Sequence, residues 1–361
     1  MLTKVTTIKN DFSGQDFFVG LDVHKKSWKV NVRSLQLEVA SFSQEPDIVN
    51  LNKTLRNKFP EGKFYSAYEA GFCGTRIHKD LVGIGINNII IHPGDLPQTD
   101  KQKKNKTDLH DSRAIACYLE KKMLRPIYVM PTEQEELRSL FRCRQSKVVD
   151  VVRSNLKLKS FLDYFNIPLP DEFKQATYVS GRYISYLKSI TITTSSGTLA
   201  LQQYVDDLIY QRNQKLELTR KLRKIITEKH SEAYNNLVTV PGIGGVIAMA
   251  LIAEIGDFTR FKNPDQYASY LGLVPSEHSS GMRIMVNGIQ PRCNKHLRPL
   301  LIEAAWACIR NSPSMLLYYK KHFDKNNKKA IIKVARKLAL TAKAVVVKNQ
   351  PFKENYNYIK A

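Results

Sequence analysis

From Phe17 to Val23 the chain is almost continuously apolar, broken by Asp22. A run of that length predicts a buried strand carrying one carboxylate. His24, Lys25, Lys26 and Ser27 supply a turn, after which Trp28, Val30 and Val32 alternate with Lys29, Asn31 and Arg33. Leu35, Leu37 and Val39 alternate in the same way with Gln36 and Glu38, so two more strands are expected in an antiparallel meander. Between Pro46 and Phe59, Ile48, Leu51 and Leu55 share one helical face. Phe64 to Tyr68 reads as a fourth strand, ending at Glu69 and a turn through Ala70, Gly71, Phe72, Cys73 and Gly74. A short helix stops at Gly83, Asn88 to His92 makes a fifth strand closed by Pro93 and Gly94, and a helix runs from near Thr107 to about Glu120.

The order is a meander followed by two crossover units, which packs as one mixed sheet with helices on its faces. That is the strand order of the RNase H/RuvC architecture, expected here over residues 15–128. The next part has a different period. Thr132 and Glu135 stand as a capping box, and Leu137, Leu140, Phe141, Val148, Val152 and Leu156 recur at helical spacing. Leu201, Val205 and Leu208, then Leu218, Leu222 and Ile225, mark a second long helix. Residues 129–232 are therefore expected to form a helical, coiled-coil middle, kinked through Thr191 to Thr198. The remainder, 233–361, is expected to be mostly α. It opens with Val240, Pro241, Gly242, Ile243 and Gly244, continues into an apolar helix from Val246 to Ile255, and finishes on a basic helix from about Lys328 to Lys348.

Charge then narrows the partners. Lys and Arg number 56 against 33 Asp and Glu, a formal surplus of +23, which a small neutral substrate would leave without a counter-charge. A polyanion is the natural partner. No apolar run reaches the roughly 18 residues of a spanning helix, and the start of the chain lacks the apolar stretch of a signal peptide, so a cytoplasmic protein is expected, nucleoid-associated when active. Cys73, Cys117, Cys143, Cys293 and Cys308 show no zinc spacing and read as reduced thiols.

Asp22, Glu69, Asp108 and Asp111 each stand at a strand or helix end of the first domain. Phosphoryl transfer on DNA needs Mg²⁺, with Mn²⁺ as a substitute, held by carboxylate oxygens. Taken singly, Asp108 and Asp111 are also what capping and the helix dipole favour, and Glu69 suits a solvated turn. Asp22 is different, because a lone carboxylate in an apolar strand is costly without a partner such as a metal. The Pro-Gly-Ile-Gly turn at Gly242 and Gly244 is like the hairpin of helix-hairpin-helix modules, whose amides approach a DNA phosphate; a tight turn needing glycine for its backbone is the other reading. Further on, Leu271 to Gly281 reads as a loop rich in serine, with His278 and Ser280 as candidate chemistry and ordinary turn composition as the plainer account. Lys101, Lys103, Lys104 and Lys106 precede Asp108, and Lys333, Arg336 and Lys337 punctuate the last helix, where they are placed to hold nucleic-acid backbone.

In this order, Gly20-Leu21-Asp22-Val23-His24-Lys25, Tyr68-Glu69-Ala70-Gly71, Lys106-Thr107-Asp108-Leu109-His110-Asp111, Val240-Pro241-Gly242-Ile243-Gly244, and Gly272 to Pro275 with Ser279-Ser280-Gly281 resemble the DEDD insertion-sequence transposases. The likeness is to the IS-one-ten type, which includes Piv-like invertases, and it spans about Phe18 to Ala344. It implies a RuvC-like domain whose four metal-binding acids match Asp22, Glu69, Asp108 and Asp111. It also implies a coiled coil and a transposase domain whose serine nucleophile matches Ser280, preferred over Ser279 because the family serine precedes the glycine. Such proteins form a composite site, pass through a phosphoserine link to DNA, and work as tetramers guided by a structured non-coding RNA that pairs with donor and target DNA. One segment departs from the pattern: Gln290-Pro291-Arg292-Cys293-Asn294 stands where relatives have a Lys-Arg-Gly-Asn-like stretch. A metal-dependent Holliday-junction-resolving nuclease, a protein-only DNA invertase and a non-enzymatic nucleic-acid-binding protein are the rival readings.

Overall fold

The computed structural model describes residues 11–96, 108–174, 178–280, 283–323 and 326–354, with the side chains of 108–110 and 277–287 outside that description. The chain divides into two compact units, Met1–Val129 and Met130–Ala361.

The first unit holds a five-stranded mixed sheet. Its strands are β1 (Asp16–Val23), β2 (Trp28–Ser34), β3 (Leu37–Gln44), β4 (Lys63–Glu69) and β5 (Asn87–Ile91), with helices α1 (Ile48–Lys58), α2 (Arg76–Gly83) and α3 (Asp108–Glu120). The spatial order is β3-β2-β1-β4-β5, with β1 antiparallel to β2 and parallel to β4. The most apolar strand is thus the central one, as two-sided burial requires. Phe17, Val19 and Leu21 face a core shared with Val30, Val32, Leu51, Leu55 and Tyr68. The third strand differs from the expectation. Leu35 and Gln36 take left-handed backbone, φ 49° and 64°, and form the two-residue turn of a β2–β3 hairpin, so the strand begins at Leu37. Two consecutive left-handed residues match the twist of the flanking strands, but the usual Asn-Gly signal is missing, so alternation alone misassigned Leu35.

The second unit is mostly helical. Its long helices α4 (Thr132–Tyr164) and α7 (Ser195–Lys229) span 33 and 35 residues, and α5 (Asp171–Lys174) and α6 (Gly181–Ser189) lie between them in sequence. Leu137 and Phe141 share a cluster with Leu222 and Ile226, while Val151 and Leu158 share another with Leu201 and Val205. The pair is therefore antiparallel. The helix begins one residue earlier than expected: Pro131, not Thr132, is the N-cap, without a side-chain capping bond, and Thr132 is the first residue of the helix. The expected kink at Thr191 to Thr198 is the approach to α7, where Thr194 Oγ1 accepts from the Gly197 amide.

Beyond these come α8 (Ser231–Val238), α9 (Gly245–Ile255), α10 (Pro264–Leu271), the antiparallel strands β6 (Pro275–Ser280) and β7 (Arg283–Ile289), then α11 (Leu297–Asn311), α12 (Pro313–Lys321) and α13 (Asn327–Val347). Every residue of α9 from Ala248 to Ile255 is buried, as befits a helix apolar on all sides that sits inside a bundle. Among the described residues no helix is long and apolar enough to cross a membrane.

Candidate functional site

Alternation along β1 puts Phe18, Gly20 and Asp22 on the face opposite Phe17, Val19 and Leu21. That face is covered by α3. A Cβ built on Gly20 would come within 2.1 Å of the Ser112 carbonyl oxygen and 2.5 Å of the Ala116 amide nitrogen. Only glycine permits so close an approach, and it fixes which turn of α3 lies over the strand. The far end of the helix is also tied. Glu120 accepts from Arg33 Nε at 2.9 Å and from the Gln36 amide at 2.7 Å, and Arg33 pairs with Phe18 near the start of β1. The helix therefore runs against the strand, and its first turn, from Asp108 to Asp111, is directed toward the end of β1 where Asp22 stands.

Glu69 arrives by the parallel pairing of β1 with β4. Leu21 is paired with Tyr68, so Asp22 and Glu69 are the next residues along neighbouring strands. Ala67, two positions before Glu69, packs with Ile115 of α3, which gives Glu69 the same face by alternation. Asp22 is 18% exposed, with Oδ2 3.2 Å from His24 Nε2. Glu69 and Asp111 are half-buried. Asp108 is the first residue of α3, and its side chain lies outside the described residues. Among the described residues, no three His, Cys, Asp or Glu side chains gather at ligating range.

The serine segment is not a loop. Pro275–Ser280 forms β6 and pairs with β7, placing Ser279 opposite Ile284 and Ser280 opposite Arg283. Its sequence, Pro-Ser-Glu-His-Ser-Ser, has no apolar alternation, so the strand is legible only beside its partner. The side chains of Glu277, His278, Ser279 and Ser280 lie outside the described residues.

The two glycines of the Pro-Gly-Ile-Gly turn separate. Gly242 has φ +87°, and a Cβ there would meet the Ala304 carbonyl oxygen of α11 at 2.3 Å. Packing and backbone conformation account for it. Gly244 is the exposed N-cap of α9, and nothing lies within 4 Å of where a Cβ would stand. On α13 the expected cations have partners within their own unit: Lys333 Nζ is 3.3 Å from His322 Nδ1, Arg336 Nη2 is 2.5 Å from Asp265 Oδ1, and Lys337 Nζ lies 4.3 Å from the Tyr318 ring centre. Lys101, Lys103, Lys104 and Lys106 fall outside the described residues.

Reading the sequence missed one polar cluster. Glu254 of α9 is fully buried, and Arg142 of α4 grips its carboxylate with two bonds, Nε to Oε1 at 2.7 Å and Nη2 to Oε2 at 2.9 Å. Asn294 Nδ2 donates to Oε2 at 2.9 Å and also to the Tyr270 hydroxyl, which itself donates to the Glu254 carbonyl. Burial pushes the carboxyl up, but the bonds from Arg142 and Asn294 and the charge of Arg142 outweigh it and hold Glu254 below the usual range. Burial pushes His296 down, with Glu254 opposing and Arg142 and Arg138 adding to the fall. The signal was available: Glu254 is a lone carboxylate in an apolar helix, as Asp22 is in an apolar strand.

Against known proteins, a family profile described as Transposase, of the DEDD IS110 type, matches residues 19–167. A second, described as Transposase IS116/IS110/IS902 family, matches 234–320. Both profiles describe IS110-type transposases, and the chain is similar to that family over the two matched stretches. The chain is 26% identical over 245 residues to the transposase for insertion sequence element IS1111A of Coxiella burnetii, an overlap of 66% of this chain and 65% of that one. It is 25% identical over 301 residues to the transposase for insertion sequence element IS1533 of Leptospira borgpetersenii, covering 80% of this chain and 84% of the relative. It also resembles the pilin gene-inverting protein of Moraxella bovis, 30% identical over 162 residues, 43% of this chain and 50% of that protein. The chain thus spans just under two thirds of the Coxiella relative. The second profile takes in both Gly242 and the β6–β7 hairpin, together with Glu254 and Asn294.

Proposed function

We propose that this chain is a DNA recombinase that cuts and rejoins strands, using Mg²⁺ or Mn²⁺ held by Asp22, Glu69, Asp108 and Asp111 and a nucleophilic serine, Ser280. The observation that carries the reading is the meeting of Asp22 and Glu69 at adjacent strand ends, on the face over which α3 begins. The donor set fits a hard cation, being carboxylate oxygen without thiolate. When bound, such an ion stabilises charge on the oxygens of a scissile phosphodiester. The strand order β3-β2-β1-β4-β5 supports an RNase H/RuvC-like first domain over 15–128, with 129–232 as a coiled-coil middle and 233–361 as the transposase domain.

In the chemistry proposed, the Ser280 oxygen attacks phosphorus. A P–O bond to serine forms, one strand P–O bond breaks, and the departing strand oxygen leaves as a hydroxyl, taking up a proton to replace the one serine gives up. Bond energy stays in the phosphoserine, so rejoining by another strand hydroxyl needs no external energy source. Donor and target DNA, a structured non-coding guide RNA and a homotetramer complete the proposal, and the +23 surplus supports polyanionic partners.

The test incubates the full chain with its flanking DNA and Mg²⁺, then resolves covalent protein–DNA adducts on denaturing gels. Ser280→Ala is expected to abolish adducts while leaving nucleic-acid binding within about threefold, whereas Asp22→Asn abolishes strand cutting itself. Adducts that persist in Ser280→Ala and vanish in Ser279→Ala would move the nucleophile by one residue. Free cut ends with no adduct in the unaltered protein would replace the recombinase by a resolving nuclease. Sequencing RNA that survives a high-salt wash tests the guide: one discrete species is expected, and a heterogeneous mixture favours a protein-only invertase.

A further inference from the structure

Among the described residues, the β6–β7 hairpin is tied to the second unit at its root. Gln290, just past β7, donates its amide to the Val274 carbonyl at 3.1 Å, just before β6. Its side chain accepts from Ser269 Oγ of α10 at 3.3 Å, and its carbonyl accepts from Arg298 of α11. Gly272, with φ +68°, lies so close to this return that a Cβ would sit 2.3 Å from the Cys293 Cβ. Both limbs of the hairpin therefore pass through one small crossing between α10 and α11.

Asn294 locks that crossing. Its amide donates to the Tyr270 carbonyl at 2.8 Å, and its carbonyl accepts from the Arg298 amide at 3.2 Å. Its side-chain nitrogen donates to Glu254 Oε2 and the Tyr270 hydroxyl, and its side-chain oxygen accepts from the His296 and Leu297 amides, each at 3.0 Å. Every donor and acceptor of this residue is in use, so it has one orientation. Glu254 in turn is fixed by the two-pronged grip of Arg142, from the long helix α4.

Stability alone is a poor reason for such an arrangement. Glu254 is fully buried while the Arg142 side chain is 43% exposed, so the carboxylate bears the desolvation cost and that cost cancels much of the attraction. What the charges add is direction. From Pro275 to Ser280 the strand extends about 17 Å, so a tilt of about 5° at the root displaces the end by about 1.5 Å. Misplacement of about 1 Å is enough to cost roughly 100-fold in a reaction that depends on alignment.

We propose that Arg142, Glu254 and Asn294 are positioning residues that set the angle at which the serine hairpin leaves the second unit. Its consequence for strand transfer rests on the serine reading above; the effect on the hairpin itself does not. In the full chain, Glu254→Gln, Arg142→Lys and Asn294→Ala are compared by hydrogen exchange at the β7 amides, Arg283 to Ile289. Each is expected to speed exchange there by about tenfold or more while α13 keeps its protection. Adduct formation from bound DNA should fall at least about tenfold, with DNA affinity within about twofold. The double variant Arg142→Met with Glu254→Met removes both charges and is expected to regain thermal stability without regaining hairpin protection, since Asn294 keeps the Tyr270 hydroxyl but still lacks its carboxylate acceptor.

Unchanged β7 exchange in folded single variants would overturn the proposal. So would a double variant that recovers protection along with stability, because the cluster would then be packing alone. If the unaltered protein forms no serine adduct, the functional reading fails, and the exchange measurement still decides whether the cluster holds the hairpin.

Discussion

The side chain that Gly20 lacks does as much for the acid site as a carboxylate. With Ser112 and Ala116 backbone atoms 2.1 and 2.5 Å from where a Cβ would stand, Gly20→Ala must push α3 off the sheet. The obstruction is backbone, which no rotamer change relieves. We expect a loss of about 3 kcal/mol, read as a lowered denaturant midpoint, together with loss of strand cutting. A change under about 1 kcal/mol would mean that α3 is not seated on β1 in solution. Asp22 and Glu254 teach a related lesson. Each is a lone carboxylate in an apolar element, and elementary desolvation says that each needs a partner. Only the fold supplies the names: His24 for Asp22, two residues away, and Arg142 for Glu254, 112 residues earlier.

Elements were legible where their periods were complete. The central strand β1, the paired long helices and α9, apolar but for Glu254, follow from spacing, because burial on a known number of sides imposes a known repeat. The β6 strand carries no such repeat and exists through its ladder with β7, and the start of β3 was obscured by a left-handed turn without glycine. The junction between α4 and α9 makes the second unit sensitive to acid. Glu254 is held below the ordinary carboxylate value of 4.5, so the folded state releases its proton at lower pH than the unfolded chain does. The stability it contributes is therefore fully present above pH 4.5 and is lost as pH falls through 4.5 and then through the lower folded value. Thermal melting against pH should show this acid limb, and Glu254→Gln should lower the melting temperature at neutral pH while flattening the limb. An equally steep limb in the variant would assign the acid sensitivity to other carboxylates.

For the whole molecule, charge is the property that needs no fold. A surplus of +23 predicts nucleic-acid binding driven by counterion release, weakening by roughly 1,000-fold between about 50 and 200 mM salt. Filter binding or anisotropy across that range checks it, and an affinity indifferent to salt would show that the surplus does not face the nucleic acid. The individual contacts are another matter, since Lys333, Arg336 and Lys337 already have partners in their own unit. By itself the sequence determined the charge, the order of most strands and helices, and which acids stand at element ends, because each depends on local spacing or on a sum. The tertiary structure decided which face Asp22 and Glu69 share, why Gly20 and Gly242 must be glycine, and that Arg142, Glu254 and Asn294 form one cluster. Those depend on contacts between residues far apart in the chain, whose distances no local period encodes.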